Sequence, residues 1–372
     1  MSTNVHDVVI IGAGLAGLTA AYVLRRHGIS AVILEREPEI GASWQRRHPQ
    51  LTLNTHRDLS ALPGARYPKG TGAFPKRDAV VRHLQAFARE HAFDIRHGVT
   101  VSSVTRNDGG SFRITSEDGV LHAAHVIMAV GRDTEKRLPA WEGLEDYEGD
   151  IRHAADFGHA PDYAGRSVLV VGGGNSGFDI LNHISRITTG PVWFSVRRGP
   201  SVLPKRLFRF AVHRLSPVMQ ALPTPLVDRM IAATQYLAFG HLSRLGFPEG
   251  AHDAATRLVN DKIAIPVDDG AIAAIRSGQI RVVRGVRAFE RNAVVLEDDS
   301  RLTPDIVIVA TGYGTSALAD EEGRGTPGLW HMGLTPSLTS FFRQTEREAT
   351  NIARAITAMP GGAPINSGAS ER

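Results

Sequence analysis

Two glycine loops of the form Gly-x-Gly-x-x-Gly constrain this chain more than any other feature. The first is Gly12-Ala13-Gly14-Leu15-Ala16-Gly17, directly after the apolar run Val8-Val9-Ile10-Ile11. The second is Gly172-Gly173-Gly174-Asn175-Ser176-Gly177, directly after Val168-Leu169-Val170-Val171, and it starts 160 residues later. Short continuous apolar runs suit strands of a parallel sheet buried on both faces. A glycine loop between such a strand and a helix lets the chain turn tightly, lets a pyrophosphate approach the backbone and lets helix and strand pack closely. The free N–H groups at the helix start favour phosphate. Two such units imply an α/β chain with two dinucleotide sites.

At the first loop, the helix pattern runs from Ala13 to His27, ends in Arg25, Arg26 and His27, and stops at Gly28. The next strand, Ala31-Val32-Ile33-Leu34, ends on Glu35. A carboxylate there can accept hydrogen bonds from ribose hydroxyls and disfavours a 2′-phosphate. FAD and NAD therefore remain open for this site. Its candidate residues are Gly12, Gly14, Leu15, Ala16, Gly17, Glu35 and Arg36.

At the second loop, a helix is expected over about 175–187 and a strand over Val192–Val196, followed by Arg197 and Arg198. No acid stands at the ribose position. The basic pair suits a 2′-phosphate, which predicts NADPH over NADH. The candidates are Gly172, Gly174, Asn175, Ser176, Gly177, Arg197 and Arg198, with Lys205 as a weaker addition.

Between the loops, Lys76–His91 reads as an amphipathic helix. Val99–Val104, Ser111–Thr115 and Val120–His122 read as antiparallel strands, and His125–Val130 as a further buried strand ending at Gly131. Residues 40–75 read as a long loop and 132–165 as a domain crossing. Later elements are expected at Ala271–Ser277 (helix), Ile280–Val283, Val294–Leu296 and Ile306–Val309 (strands) and 339–358 (helix). The tail from Pro360 is rich in Pro, Gly and Ser and is expected to be disordered.

Composition removes several function classes. The 372 residues contain no cysteine, which excludes disulfides, Cys-ligated metal sites and dithiol redox chemistry. Lys+Arg 42 nearly cancel Asp+Glu 38, and no basic tail suggests nucleic acid. No apolar run reaches the ~18 residues of a membrane span, and no signal-peptide pattern opens the chain, so the cytosol is the expected compartment.

The stretch before the second loop reads Tyr147-x-Gly149-x-x-x-His153-x-x-x-Phe157. With the two glycine loops, it resembles the fingerprint of the class B flavin-dependent monooxygenases: flavin-containing monooxygenases, Baeyer–Villiger enzymes and the plant YUCCA enzymes. Tyr147 stands where the fingerprint has Phe. Phe157-Gly158 departs from the Baeyer–Villiger ending. Gly41-Ala42-Ser43-Trp44 resembles a flavin-domain segment of that family, and Ala310-Thr311-Gly312-Tyr313 its C-terminal motif. The stretch from Leu226 to Gly246, and Pro266-Val267 followed by Ile275–Ile280, look most like YUCCA sequences.

The resemblance implies FAD in the first site and NADPH in the second. It implies two Rossmann-type domains, the NADP domain (159–299, with a helical insertion at about 205–260) inserted into a discontinuous FAD domain (1–158 and 300–360), with 361–372 as a tail. The implied activity is monooxygenation through a C4a-(hydro)peroxyflavin, with O2 and a small organic molecule as substrates, by N- or S-oxygenation or by oxidative decarboxylation of a 2-oxo acid. Asn54 resembles the Asn placed near the reactive flavin face and is the catalytic candidate. Ser43, Trp44, Val101, Gly131, Gly312 and Tyr313 join the cofactor set. His56 and Arg57 are further candidates, Arg57 for a substrate carboxylate. His153 reads as an interdomain structural histidine. Thr335-Pro336-Ser337 precedes a helix whose N-terminus would face the flavin. The segment 205–245 reads first as a packed helical insertion, with a substrate lid, a dimer surface or a membrane-surface helix as alternatives. A flavin reductase that inserts no oxygen, and a non-enzymatic dinucleotide sensor, are the competing functions.

Overall fold

The computed structural model describes residues 5–250, 252–314 and 325–359. Strand β1 (Val5–Ile11), helix α1 (Leu15–Arg26) and β2 (Ala31–Glu35) form the first expected unit. Basic residues Arg25 and Arg26 end α1, where the helix dipole favours cations. A short helix α2 (Ala42–Gln45) interrupts the loop region, and α3 (Arg77–His91) follows. Then come β3 (Asp94–His97), β4 (Val101–Arg106), β5 (Phe112–Ser116) and β6 (Gly119–Met128). The crossing carries β7 (Glu135–Lys136) and β8 (Asp150–His153).

The second unit is β9 (Val168–Val171), α4 (Asn175–Ile184) and β10 (Val192–Ser195). Short strands β11 (Leu203–Pro204), β12 (Arg206–Leu207) and β13 (Phe210–Ala211) lead into helices α5 (Ser216–Gln220), α6 (Thr224–Phe239) and α7 (Ala254–Asn260). After β14 (Val267–Asp268) come α8 (Ala271–Arg276) and β15 (Ile280–Val283), then the antiparallel β16 (Val286–Glu290), β17 (Ala293–Leu296) and β18 (Arg301–Leu302). The chain continues through β19 (Ile306–Val309), β20 (Tyr313–Gly314), β21 (Leu329–His331) and α9 (Phe341–Ala358).

The first sheet runs β3-β2-β1-β6-β5-β4, with β21 also against β6; the second runs β15-β10-β9-β19-β8 and is parallel throughout. Each sheet has a core on both faces. Val8 and Ile10 face α1, α3 and α9, while Val9 and Ile11 face the opposite cluster with Phe112 and Ile114. Val168 and Val170 pack with α4 and α8, while Leu169 and Val171 pack with β16 and β17. This two-sided burial explains the unbroken apolar runs.

Two expectations change. The runs 120–122 and 125–130 are one strand, β6, whose first half pairs with β5 and whose second half pairs with β21. The small Ala123 and Ala124 between the runs broke the apolar pattern but not the ladder. The crossing is not all loop, because β8 hydrogen-bonds to β19. Strands β8 (150–153) and β19 (306–309) both belong to the second sheet. The proposed tail, 361–372, lies outside the described residues.

Candidate functional site

The two glycine loops are built alike. Gly12 has φ 103, and a Cβ there would stand 2.7 Å from the Ala129 carbonyl oxygen; Gly172 has φ 122, and a Cβ would stand 2.5 Å from that of Ala310. At Gly17 and Gly177 a Cβ would meet the Gly12 and Gly172 carbonyl oxygens at 1.8 and 2.0 Å. Gly14 and Gly174 differ: among the described residues, no atom beyond the adjoining chain lies within 4 Å of a Cβ placed at either. The fold does not need glycine there, so the open space is a cradle for something that approaches the backbone. Both helices start without a side-chain cap or an acid in the first turn. The N–H groups at Leu15, Ala16 and Gly17, and at Asn175, Ser176 and Gly177, are thus left for an anionic ligand.

The repeat extends to the next strand. Ala129 N donates to Ile11 O at 2.9 Å, and Ala310 N donates to Val171 O at 2.8 Å. Gly131 and Gly312 follow these alanines at equivalent places, with φ 84 and 92 and open space above each. Gly312 therefore rims the second loop as Gly131 rims the first.

At the first site, Glu35 accepts from Ala13 N–H at 2.6 Å and Glu37 N–H at 3.0 Å. Val99 N donates to Glu35 O at 2.9 Å, which brings the start of β4 and Val101 to the same end of the sheet. Val101's side chain is buried. Arg36 is exposed and pairs with Glu37 at 3.2 Å. At the second site, Arg197 and Arg198 are both exposed past the end of β10, and among the described residues neither guanidinium has an ion pair. Lys205 does not join them. Its ammonium is buried, donates to Thr52 Oγ1 at 2.7 Å and lies 3.4 Å from Asp269. Burial also pushes its pKa below the usual lysine value, against the pull of Asp269 and Asp179.

The loop after Trp44 spans the seam between the two units. Asn54 Nδ2 donates to Asn175 Oδ1 at 3.3 Å, joining the catalytic candidate to the first residue of the second glycine-loop helix. Ser43 is exposed, and half-buried Trp44 packs on the first core with Arg47 over its ring. His56 N–H donates to His213 Nδ1 at 3.1 Å, and His213 in turn donates from Nε2 to the Thr339 carbonyl. Burial lowers the His213 pKa to about 4, so this link is neutral. Arg57 is tied to the Thr71 carbonyl and to Asp58.

A family profile described as "Pyridine nucleotide-disulphide oxidoreductase" matches residues 9–195. The indole-3-pyruvate monooxygenase YUCCA1 of Oryza sativa subsp. japonica is 29% identical over 378 residues, covering 95% of this chain and 92% of the relative. The probable indole-3-pyruvate monooxygenase YUCCA3 of Arabidopsis thaliana is 32% identical over 322 residues, covering 83% and 73%. The chain belongs to the class B flavin-dependent monooxygenases.

The fold agrees. A flavin-containing monooxygenase from Stenotrophomonas maltophilia superposes with TM-score 0.69 at 23% identity, covering 96% of this chain and 99% of that one. A steroid monooxygenase bound to NADP superposes with TM-score 0.71 at 17% identity, covering 95% and 85%. With no cysteine, this flavin monooxygenase has no dithiol of the kind named in the profile.

In the monooxygenase the fingerprint residues hold the seam. A Cβ at Gly149 would fall 2.4 Å from the Tyr147 ring, so Gly149 leaves room for that aromatic. The hydroxyl that distinguishes Tyr147 from Phe donates to Pro304 O at 3.3 Å. His153 Nδ1 accepts from Ala155 N–H, so Nε2 carries the proton and donates to Gly312 O at 3.0 Å. Its ring stands edge-on to Tyr313 at 4.9 Å. Phe157 stacks on Tyr163 and meets His48 edge-on at 5.3 Å.

The sequence reading missed His48, Asp179 and His183. His48 Nε2 donates to Asp179 Oδ2 at 2.7 Å, and His183 Nε2 lies 3.6 Å from Oδ1. Burial raises the Asp179 pKa, but the bonds from His183 and His48 more than reverse it and hold the carboxyl well below the usual range. The available signal was the i, i+4, i+8 spacing of Asn175, Asp179 and His183. Helix α6, helix α7 and residues Thr335–Leu338 enclose a cleft of about 310 Å3. The α9 cap is Ser340, so Thr335–Ser337 lines this cleft and is not itself the helix cap.

Proposed function

We propose that the first glycine loop holds FAD, that the second holds NADPH through Arg197 and Arg198, and that the substrate is an aromatic 2-oxo acid undergoing oxidative decarboxylation. The Asn54–Asn175 contact carries the reading, because it joins the catalytic candidate to the first residue of the helix after the second glycine loop, which supports a shared site. The YUCCA relatives named for indole-3-pyruvate support the substrate class.

When bound, the flavin supplies electron transfer and O2 activation. The chain's own residues bind, orient and exclude water. The open space over Gly14 and Gly174 and the uncapped starts of α1 and α4 receive the two pyrophosphates. Asn54 offers an amide donor without an acidic proton beside the reacting atoms. The cleft between the helical insertion and Thr335–Leu338 takes the substrate. Its volume of about 310 Å3 stands at the lower end of the ~300–1,000 Å3 usual for small-molecule sites. Met219, Leu222, Val227 and Leu258 supply its apolar wall, and Lys262 offers a cation for a carboxylate. The reaction balances as 2-oxo acid, O2, NADPH and H+ going to the shortened acid, CO2, H2O and NADP+.

Incubation with indole-3-pyruvate, NADPH and 18O2 tests this. One labelled oxygen is expected in the product acid for each CO2 released. NADPH oxidation that yields only H2O2 with every aryl 2-oxo acid, amine and sulfide offered would overturn the monooxygenase assignment of substrate. Asn54→Ala is expected to retain bound FAD while product per NADPH falls about tenfold or more and H2O2 release rises in step. Unchanged coupling would remove Asn54 from the catalytic role.

A further inference from the structure

Helix α4 carries Asn175, Asp179 and His183 one turn apart, so the three form a single stripe along one face. The stripe meets one loop of the flavin domain. Asn54 donates to Asn175 at 3.3 Å, and His48 donates to Asp179 at 2.7 Å. The His48 and His183 rings stand 5.2 Å apart, edge to face. His48 and His183 are each only 8% exposed. Beside them the buried Lys205 ammonium ties Thr52 of the same loop to Asp269 of the second unit.

The two units fold around separate cores, so neither core fixes where one cradle sits relative to the other. Hydride transfer needs the reacting atoms within ~3–3.5 Å, and a misplacement of about 1 Å can cost ~100-fold. Directional contacts across the seam must supply that precision. Buried charge-assisted hydrogen bonds suit the task, because they contribute more to a unique geometry than to net stability. The donor atoms of His48, Asp179 and His183 lie within 4.8 Å of one another, but the 2.7 Å His48–Asp179 separation is a hydrogen bond. Two ligands of a tetrahedral ion with ~2.0 Å bonds stand ~3.3 Å apart.

We propose that His48 and Asp179 are positioning residues that set the register between the two dinucleotide cradles, holding Asn54 against the start of α4. They act through Asn54 and the two loops and touch no reacting atom. The assignment rests on the two-cofactor reading above.

The test compares His48→Ala, His48→Gln and Asp179→Asn with the unchanged chain. The first readout is the anaerobic rate of flavin reduction by NADPH, with FAD content and the NADP+ dissociation constant measured alongside. The rate is expected to fall at least tenfold in His48→Ala and Asp179→Asn, with FAD content and NADP+ affinity within twofold. His48→Gln keeps a donor toward Asp179 and is expected to recover part of the rate. The second readout is amide hydrogen exchange of the cofactor-free chain, where faster exchange is expected only over about 46–56 and in α4. Unchanged reduction rates, or faster exchange spread through β9 and β19, would overturn the proposal. Failure of the unchanged enzyme to oxidise NADPH would instead sink the two-cofactor reading, and the exchange result would still judge the seam.

Discussion

A methyl group at Gly172 would press on the Ala310 carbonyl oxygen, and one at Gly174 would touch nothing. The same motif thus holds glycines that the fold requires and glycines that it does not. Around the second cradle, the proposed function has charge select the ligand. Val196 stands at the register of Glu35, and Arg197 and Arg198 follow it past the end of β10. Replacing both by alanine is expected to raise the KM for NADPH by about 10- to 100-fold, since a charged hydrogen bond contributes ~1.5–3 kcal/mol. The KM for NADH should move less than threefold. Steady-state kinetics with both nucleotides checks this, and equal loss for the two would remove the 2′-phosphate role. Lys205 shows the limit of such reasoning. Its charge was legible, but its direction into the seam, toward Thr52 and Asp269, was not.

At the scale of elements, the apolar runs located β1, β9 and β19 because those strands are buried on both faces. Strand β8 was not visible. Its sequence, Asp150-Ile151-Arg152-His153, has no apolar run, because it lies at the sheet edge beside β19 only. Helix α9 was visible through its periodicity, and its start is fixed by Ser340. That side chain accepts from Arg343 N–H at 3.2 Å, donates to the Leu59 carbonyl and is 3% exposed. Ser340→Ala is expected to destabilise the protein by ~1–2 kcal/mol through loss of the cap. Urea unfolding would register this as a lower midpoint at constant slope, and an unchanged midpoint would contradict it. The α4 stripe shows the opposite case. Its i, i+4, i+8 spacing was present in the sequence, but many helices carry such spacing on solvated faces.

At the scale of the molecule, buried neutral histidines link stability to pH. Burial lowers the pKa of His83 to about 4, where its Nε2 accepts from Leu62 N–H at 3.0 Å; His213 at the seam is likewise lowered to about 4. The unfolded chain takes up these protons near pH 6.5 and the folded chain only near 4, so the unfolded state holds more protons between those values. Stability is therefore expected to fall as pH drops from about 6.5 to 4. His83→Gln should flatten that slope in urea midpoints measured across the window, and an unaltered slope would exclude His83 as a source. Among the described residues no helix is long and apolar enough to cross a membrane. The sequence by itself determined the two glycine loops, their strands and helices, the acid–base contrast between Glu35 and Arg197-Arg198, and the absence of thiol chemistry. These are local, set by neighbours within a few residues. Only the tertiary structure decided that β8 and β19 join the second sheet, that Gly312 repeats the role of Gly131, and that Asn54, His48 and His213 meet partners more than 120 residues away. Contacts at that separation depend on how two cores pack, which no local pattern records.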